Sequence, residues 1–426
     1  MLTRRVLWGT IIASTVFALC AAAGLTWVLL RPAAAPAALL VADAGPQLRL
    51  LVDGQAMQVI SDDHRPAQYR FPVVAPDGGR IAYVGTSQAA LAVVVHDLKT
   101  GERRQVYTSA VAQPFDLGWS PDGRSLVFLV PVPGGFVFEI VPADGSAEAQ
   151  TIAAGPTIYY SWSQDGRRLA IHIGGHAAQK GRVDLYKLGD SAATPLLSDP
   201  SFFEAPAFSR DGSALFYVAQ PPAKQARLTF DEVAGTITRV DLDGHNPQVL
   251  ASEKQAALQV VRSPTSDVLA YGVRHISADG SFESGGLKLI NGDGGSSRTL
   301  SRSDQHVTAF FWSPDGQQIA YLSYKGAAST SGAQTWSIVD LADSIPRDLA
   351  SFTPSQSFAE LNQYFDAYTY GYSPWSPDGK RLAYAADNGV YIADARTGKT
   401  IRVGDGTITM WAGGRTNSAF KAPRAK

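Results

Sequence analysis

Short apolar runs alternate with polar, glycine-bearing turns along most of this 426-residue chain. Val307-Thr-Ala-Phe-Phe311 and Gln318-Ile-Ala-Tyr-Leu322 are two such runs, rich in aromatic and β-branched residues, and both read as strands. Between them lies Trp312-Ser-Pro-Asp-Gly316. Ser at the first position, Pro at the second and Gly at the fourth suit a type I turn, so the segment predicts a hairpin corner. A second hairpin follows: Ala92–Val106, Thr238–Val249 and Val390–Val403 each read as strand, turn, strand. Two hairpins make a four-stranded sheet.

The corner recurs about every 45 residues, a period at which repeats build propellers. Clear copies start at Trp119, Trp312 and Trp375; altered ones are Ala75-Pro-Asp-Gly78, Trp162-Ser-Gln-Asp-Gly166 and Phe208-Ser-Arg-Asp-Gly212. A seventh, Arg262-Ser-Pro-Thr-Ser-Asp267, keeps Ser-Pro and a displaced Asp. The Trp or Phe ahead of each corner is expected where two blades meet. The corner aspartates Asp77, Asp122, Asp165, Asp211, Asp315 and Asp378 read as turn stabilisers, since a turn Asp accepts from nearby backbone N–H groups.

The pattern Trp-Ser-Pro-Asp-Gly-Lys/Arg-x-Leu/Ile-Ala-Tyr, nearly complete in Trp375–Tyr384, resembles the WD40-like (PD40) repeats of TolB-type and prolyl oligopeptidase-type propellers. The resemblance covers roughly residues 47–420 and implies an all-β propeller. It leaves function open, because one fold hosts many tasks. Before the first corner stands an unpaired hairpin, Leu48–Ile60, and after the last repeat another, Thr407–Phe420, whose Trp411-Ala-Gly-Gly-Arg415 is a worn corner. If these ends pair, they close an eighth blade and remove free sheet edges; if not, seven blades remain. The expectation is eight, with residues 421–426 as a tail.

Ahead of the repeats, Arg4 and Arg5 precede an uncharged stretch, Val6–Leu30. As a helix its 25 residues would extend roughly 37 Å, more than the ~30 Å bilayer core. Residues 1–30 therefore read as a cytoplasmic stub and transmembrane signal-anchor, with the propeller on the extracytoplasmic side of the cytoplasmic membrane. A signal peptide cleaved near Ala21–Ala23 is the competing reading, and Leu19 argues against a lipoprotein at Cys20. Residues 31–46, rich in Pro and Ala, read as a linker. They leave no room for the small α/β domain that TolB carries ahead of its propeller.

Composition narrows the chemistry. A net charge of −1 argues against nucleic acid, and a single cysteine excludes an intramolecular disulfide. The nearest approach to a Gly-x-Ser-x-Gly elbow, Gly371-Tyr-Ser-Pro-Trp375, has Trp where the second Gly is needed. The seven histidines form no zinc motif; His172 and His176 come closest, across Gly174-Gly175. Asp241-Leu-Asp-Gly-His-Asn246 reads as an outer turn, not a calcium loop. No catalytic, metal or cofactor residue is assigned.

Two repeats are expanded, over residues 220–235 and 351–373. The second carries Phe358, Tyr364, Phe365, Tyr368, Tyr370 and Tyr372, candidates for a binding loop, since long insertions on rigid scaffolds often carry function. The sequence thus favours a membrane-anchored propeller that binds a protein, peptide or envelope glycan without chemistry. The alternative is a propeller-type polysaccharide lyase or hydrolase.

Overall fold

Strands of one blade are sandwiched between two neighbouring blades, so their inner portions bury both faces and read as unbroken apolar runs. Arg168–Ile173 shows the division of labour. Leu169, Ile171 and Ile173 pack into one core cluster with Val127 and Phe138 of the preceding blade, while Ala170 packs into another with Phe208 and Leu215 of the following one. Outer strands are half exposed, as in Arg103–Ser109. The hydrophobic core is thus a ring of inter-blade seams. Each fully buried Leu or Ile in it contributes on the order of 1.5–3 kcal/mol.

The computed structural model describes residues 38–42, 47–52, 58–60, 68–86, 90–110, 112–174, 181–198, 204–219, 234–277, 282–326, 332–363 and 371–411. They form eight antiparallel sheets, an eight-bladed all-β propeller. Blades 1 to 7 occupy residues 68–109, 115–155, 158–198, 207–254, 256–299, 305–352 and 375–404. Blade 7 has three regular strands, its inner position held by an isolated Trp375–Leu382 bridge. Pro374 immediately before Trp375 has no N–H to donate to a ladder, though its carbonyl still accepts from Ala383 N at 2.8 Å.

Blade 8 is closed by both ends of the described chain. Its strand order runs Gln58–Val59, Leu48–Val52, Ala38–Ala42, Ile408–Trp411. The two termini meet with Leu40 opposite Met410, and Thr409 Oγ1 donates to Leu40 O at 3.0 Å. This corrects the linker assigned to residues 31–46. Ala38–Ala42 is a strand with all five residues buried, because Leu39, Leu40 and Val41 supply the apolar surface that joins the two ends. The closure is three strands to one, and residues 412–426 lie outside the described residues.

One α-helix occurs among the described residues, α1 (Gln356–Gln363). Ser355 caps it, its Oγ accepting from Phe358 N at 3.2 Å. Among the described residues no helix is long and apolar enough to cross a membrane. The segment read as a signal-anchor, residues 1–30, lies outside them.

Candidate functional site

The repeated corners are self-contained. In the five copies that keep both Ser and the Asp two residues on, the Ser Oγ donates to that Asp Oδ1 at 2.6–2.7 Å. That same Oδ1 accepts a backbone N–H two residues further, at 2.9–3.1 Å. The Ser Oγ in turn accepts a backbone N–H five residues on, at 2.9 Å. Asp77, whose corner has Ala75 in place of Ser, accepts from Gly79 N and from Arg80 Nη2. Hydrogen bonds from Ser209 and Ser213 draw the Asp211 carboxyl down to about 2. Each corner glycine sits at a φ near +69°, where a side chain is disfavoured. These carboxylates are consumed by their turns.

The aromatic ahead of the corner sits at the blade seam, as expected. Trp119 Nε1 donates to Val73 O at 3.3 Å, Trp312 Nε1 to Val261 O and Trp375 Nε1 to Phe311 O, both at 3.0 Å. Each acceptor lies on the inner strand of the preceding blade. In the degenerate seventh copy the displaced Asp267 accepts instead from Arg210 N of the neighbouring corner, at 2.6 Å.

Inner strands and corners of all eight blades enclose a cavity of about 210 Å³ on the propeller axis. Trp119, Tyr160, Trp162, Phe208, Trp312 and Trp411 are among the aromatic residues of its wall. Asp116 is the only carboxylate among the described residues that line it. This residue is 5% exposed, and burial pushes its carboxyl up to about 7. Its backbone is left-handed, φ 51°, where the inner strand of blade 2 shifts register between Phe115 and Gly118. Tyr160 OH donates to Asp116 O at 3.0 Å, and a Cβ on Gly118 would collide with that hydroxyl. Sequence reasoning missed Asp116. Its one signal was a carboxylate inside an otherwise apolar inner-strand segment, Phe115-Asp-Leu-Gly-Trp119.

The opposite end of the ring carries the irregular chain. Each inner strand runs toward its corner and the next strand runs back, so inter-blade connections and the loops between second and third strands emerge at the other end. Both expanded repeats open there, the first between Ala219 and Ala234, the second between Phe352 and Trp375. Of the six candidate loop aromatics, Phe358 and Tyr372 are buried. Phe358 packs within 6.0–6.5 Å of Tyr372, Phe352 and Trp336, ring centre to ring centre. They fasten the two ends of the insertion to the seam between blades 6 and 7. Tyr364, Phe365, Tyr368 and Tyr370 lie outside the described residues. The helix under this insertion was legible only in Ser355 followed by Phe358 and Leu361 at helical spacing.

His172 is buried near this same end, with Nδ1 2.7 Å from Glu204 O. Desolvation pushes it down to about 4, so it is neutral near pH 7. His176 lies outside the described residues. Among the described residues, no three His, Cys, Asp or Glu side chains are gathered as a metal site. In Asp241–Asn246, Asn246 Nδ2 donates to Asp241 Oδ2 at 2.8 Å and Asp243 accepts from His245 N, the bonding of a tight turn.

No protein-family model matches the chain, and no curated protein matches it. The resemblance to PD40 repeats therefore rests on the motif residues. Solved structures do match. A prolyl endopeptidase is 12% identical with a TM-score of 0.51, over 82% of this chain and 51% of its own. The chain thus spans about half of that peptidase, and the likeness is one of fold. An oligogalacturonate lyase in complex with manganese is 16% identical with a TM-score of 0.46, over 87% of this chain and 85% of that one. TolB from Acinetobacter baumannii is 16% identical with a TM-score of 0.39, over 74% and 64%.

Proposed function

We propose that this chain is a membrane-anchored, extracytoplasmic binding scaffold that captures a protein, peptide or envelope glycan at the end of the propeller opposite the Ser-Pro-Asp-Gly corners. The observation that carries the reading is the departure of both expanded repeats from that end. The longest stretches of chain between strands thus fall at one end of the ring, while the corner end carries short turns. The anchor, Val6–Leu30, supports the location. Long insertions on a rigid ring are where binding residues are often carried.

The test is capture in intact cells by crosslinking, followed by mass spectrometry. The triple variant Tyr364→Ala, Phe365→Ala, Tyr368→Ala is expected to fold with an unchanged melting temperature and to lose the captured partner. Unchanged capture by that variant removes the loop from the reading.

A second reading, a polysaccharide lyase or hydrolase working in the channel, draws on Asp116 alone. A buried carboxyl with a raised proton affinity is a frequent general acid. Glycoside hydrolysis ordinarily takes a pair of carboxylates, and the described lining supplies one. Release of sugar fragments from envelope polysaccharide, lost in Asp116→Asn, would establish this second reading.

A further inference from the structure

We propose that the axial cavity is a binding site for a small organic ammonium compound, with its cationic nitrogen on the Asp116 carboxylate and its alkyl groups against the aromatic wall. The first argument is the state of Asp116. The residue is 95% removed from solvent, yet its carboxyl has no hydrogen-bond or ion-pair partner among the described residues; burial alone sets its proton affinity. A carboxyl so placed costs free energy whether ionised or neutral, and a ligand cation would offset that cost. The second argument is its mounting. The left-handed backbone at Asp116, the Tyr160 hydroxyl on its carbonyl and the side-chain-free Gly118 together hold it in the wall of the cavity.

The surroundings select the kind of cation. A cavity of about 210 Å³ is far larger than a bare metal ion, and one carboxylate is a poor set of metal ligands. Faces of Trp and Tyr attract organic cations, which bring their own bulk to fill the space. A neutral sugar would suit the aromatic wall but would leave the carboxyl unpaired. Arg262 is the only other charged residue in the lining, and its Nη1 donates to Ser263 O and Ser266 O at 2.7 and 2.9 Å, toward its own corner. The remaining titratable lining residues are the phenols of Tyr160 and Tyr372, and burial raises Tyr372 further above the usual tyrosine value.

Binding is therefore linked to a proton. The ammonium group pairs with the ionised carboxylate, so a ligand arriving below pH 7 displaces a proton from Asp116. Affinity rises with pH and levels off above about 7, being roughly tenfold weaker at pH 6 than on the plateau. Gly371, Tyr372 and Ser373, at the end of the second insertion, also line the cavity, so this site adjoins that insertion.

Calorimetric titration of the full chain with choline and with ethanolamine tests the proposal, using 3,3-dimethylbutan-1-ol as the neutral isostere of choline. The expected result is saturable binding of at least one of the two cations, weakened tenfold or more in Asp116→Asn. Proton release, read at pH 6 from the dependence of the heat on buffer ionisation enthalpy, should accompany it. That reading uses the unmutated protein, so it stands even if the variant fails to fold. Absence of binding by both cations at 10 mM, equal affinity for the isostere, or binding without proton release at pH 6 overturns the proposal. The triple loop variant should bind the cation normally, which separates this site from the macromolecular one.

Discussion

Asp116 occupies a backbone conformation that few side chains tolerate, and the equivalent position in blade 1, Phe71, shares it with φ 52°. The bend belongs to the scaffold, therefore, and the carboxyl is what blade 2 adds. Asp is among the residues most tolerant of this region. Its burial makes a signed prediction. The unfolded chain loses the Asp116 proton near pH 3.8, whereas the folded chain keeps it until about 7. Stability attached to this group is complete below pH 4 and is lost as pH rises toward 7, by about 4 kcal/mol at ~1.4 kcal/mol per unit. Asp116→Asn should thus melt above the parent protein at pH 8 and close to it at pH 4. A melting-temperature difference that stays flat across that range would show the carboxyl to be solvated. Gly118→Ala makes the complementary test. The new methyl drives into the Tyr160 hydroxyl and should cost about 1–3 kcal/mol by thermal melt, although Gly118 has no left-handed backbone to blame. None of this was legible beforehand, because the aspartates that stand out in the sequence are those that repeat. Repetition marks structure, and Asp116 breaks the pattern once.

At the scale of the element, the corner is a small closed network. Ser313 Oγ, Asp315 Oδ1 and the N–H groups of Gln317 and Gln318 form a cycle of bonds between 2.6 and 3.0 Å. Removing either side chain breaks bonds that both share. Ser313→Ala and Asp315→Ala should each cost about 1 kcal/mol, and the double variant clearly less than their sum. Urea unfolding of the double-mutant cycle measures this; strict additivity would mean that the two side chains act separately. Such corners were readable because Ser, Pro, Asp and Gly each answer to one backbone requirement. The paired strands were readable too, since burial between blades leaves an unbroken apolar run. Two elements escaped. Ala38–Ala42 sits in a Pro/Ala-rich segment whose composition resembles a spacer, and only its distant partner at Ile408–Trp411 makes it a strand. Helix α1 interrupts an all-β pattern, and its packing on Trp336 is a tertiary fact.

For the whole molecule, the decisive contact is between residues some 370 positions apart. Every blade in a closed ring has two neighbours, and stability in repeat proteins is approximately a sum of such nearest-neighbour interfaces. Ile408–Trp411 completes the last of them. It supplies the innermost strand of blade 8, buries Met410 and Trp411, and places Trp411 4.7 Å beneath the Arg381 guanidinium of blade 7. A chain ending at Gly406 would lose that strand and leave Ala38–Ala42, wholly apolar, as an open edge in a channel no longer closed. Loss of the buried Trp and Met alone removes on the order of 5 kcal/mol or more. The edge itself is a template for pairing with another copy. Such a truncated chain should melt at least 10 °C below the parent or without cooperativity, and should elute as dimers and larger species on size exclusion. If it remained monomeric with an unchanged melting temperature, seven blades would suffice for the ring, and the pairing of Leu40 with Met410 would be an ornament of the fold and not its closure.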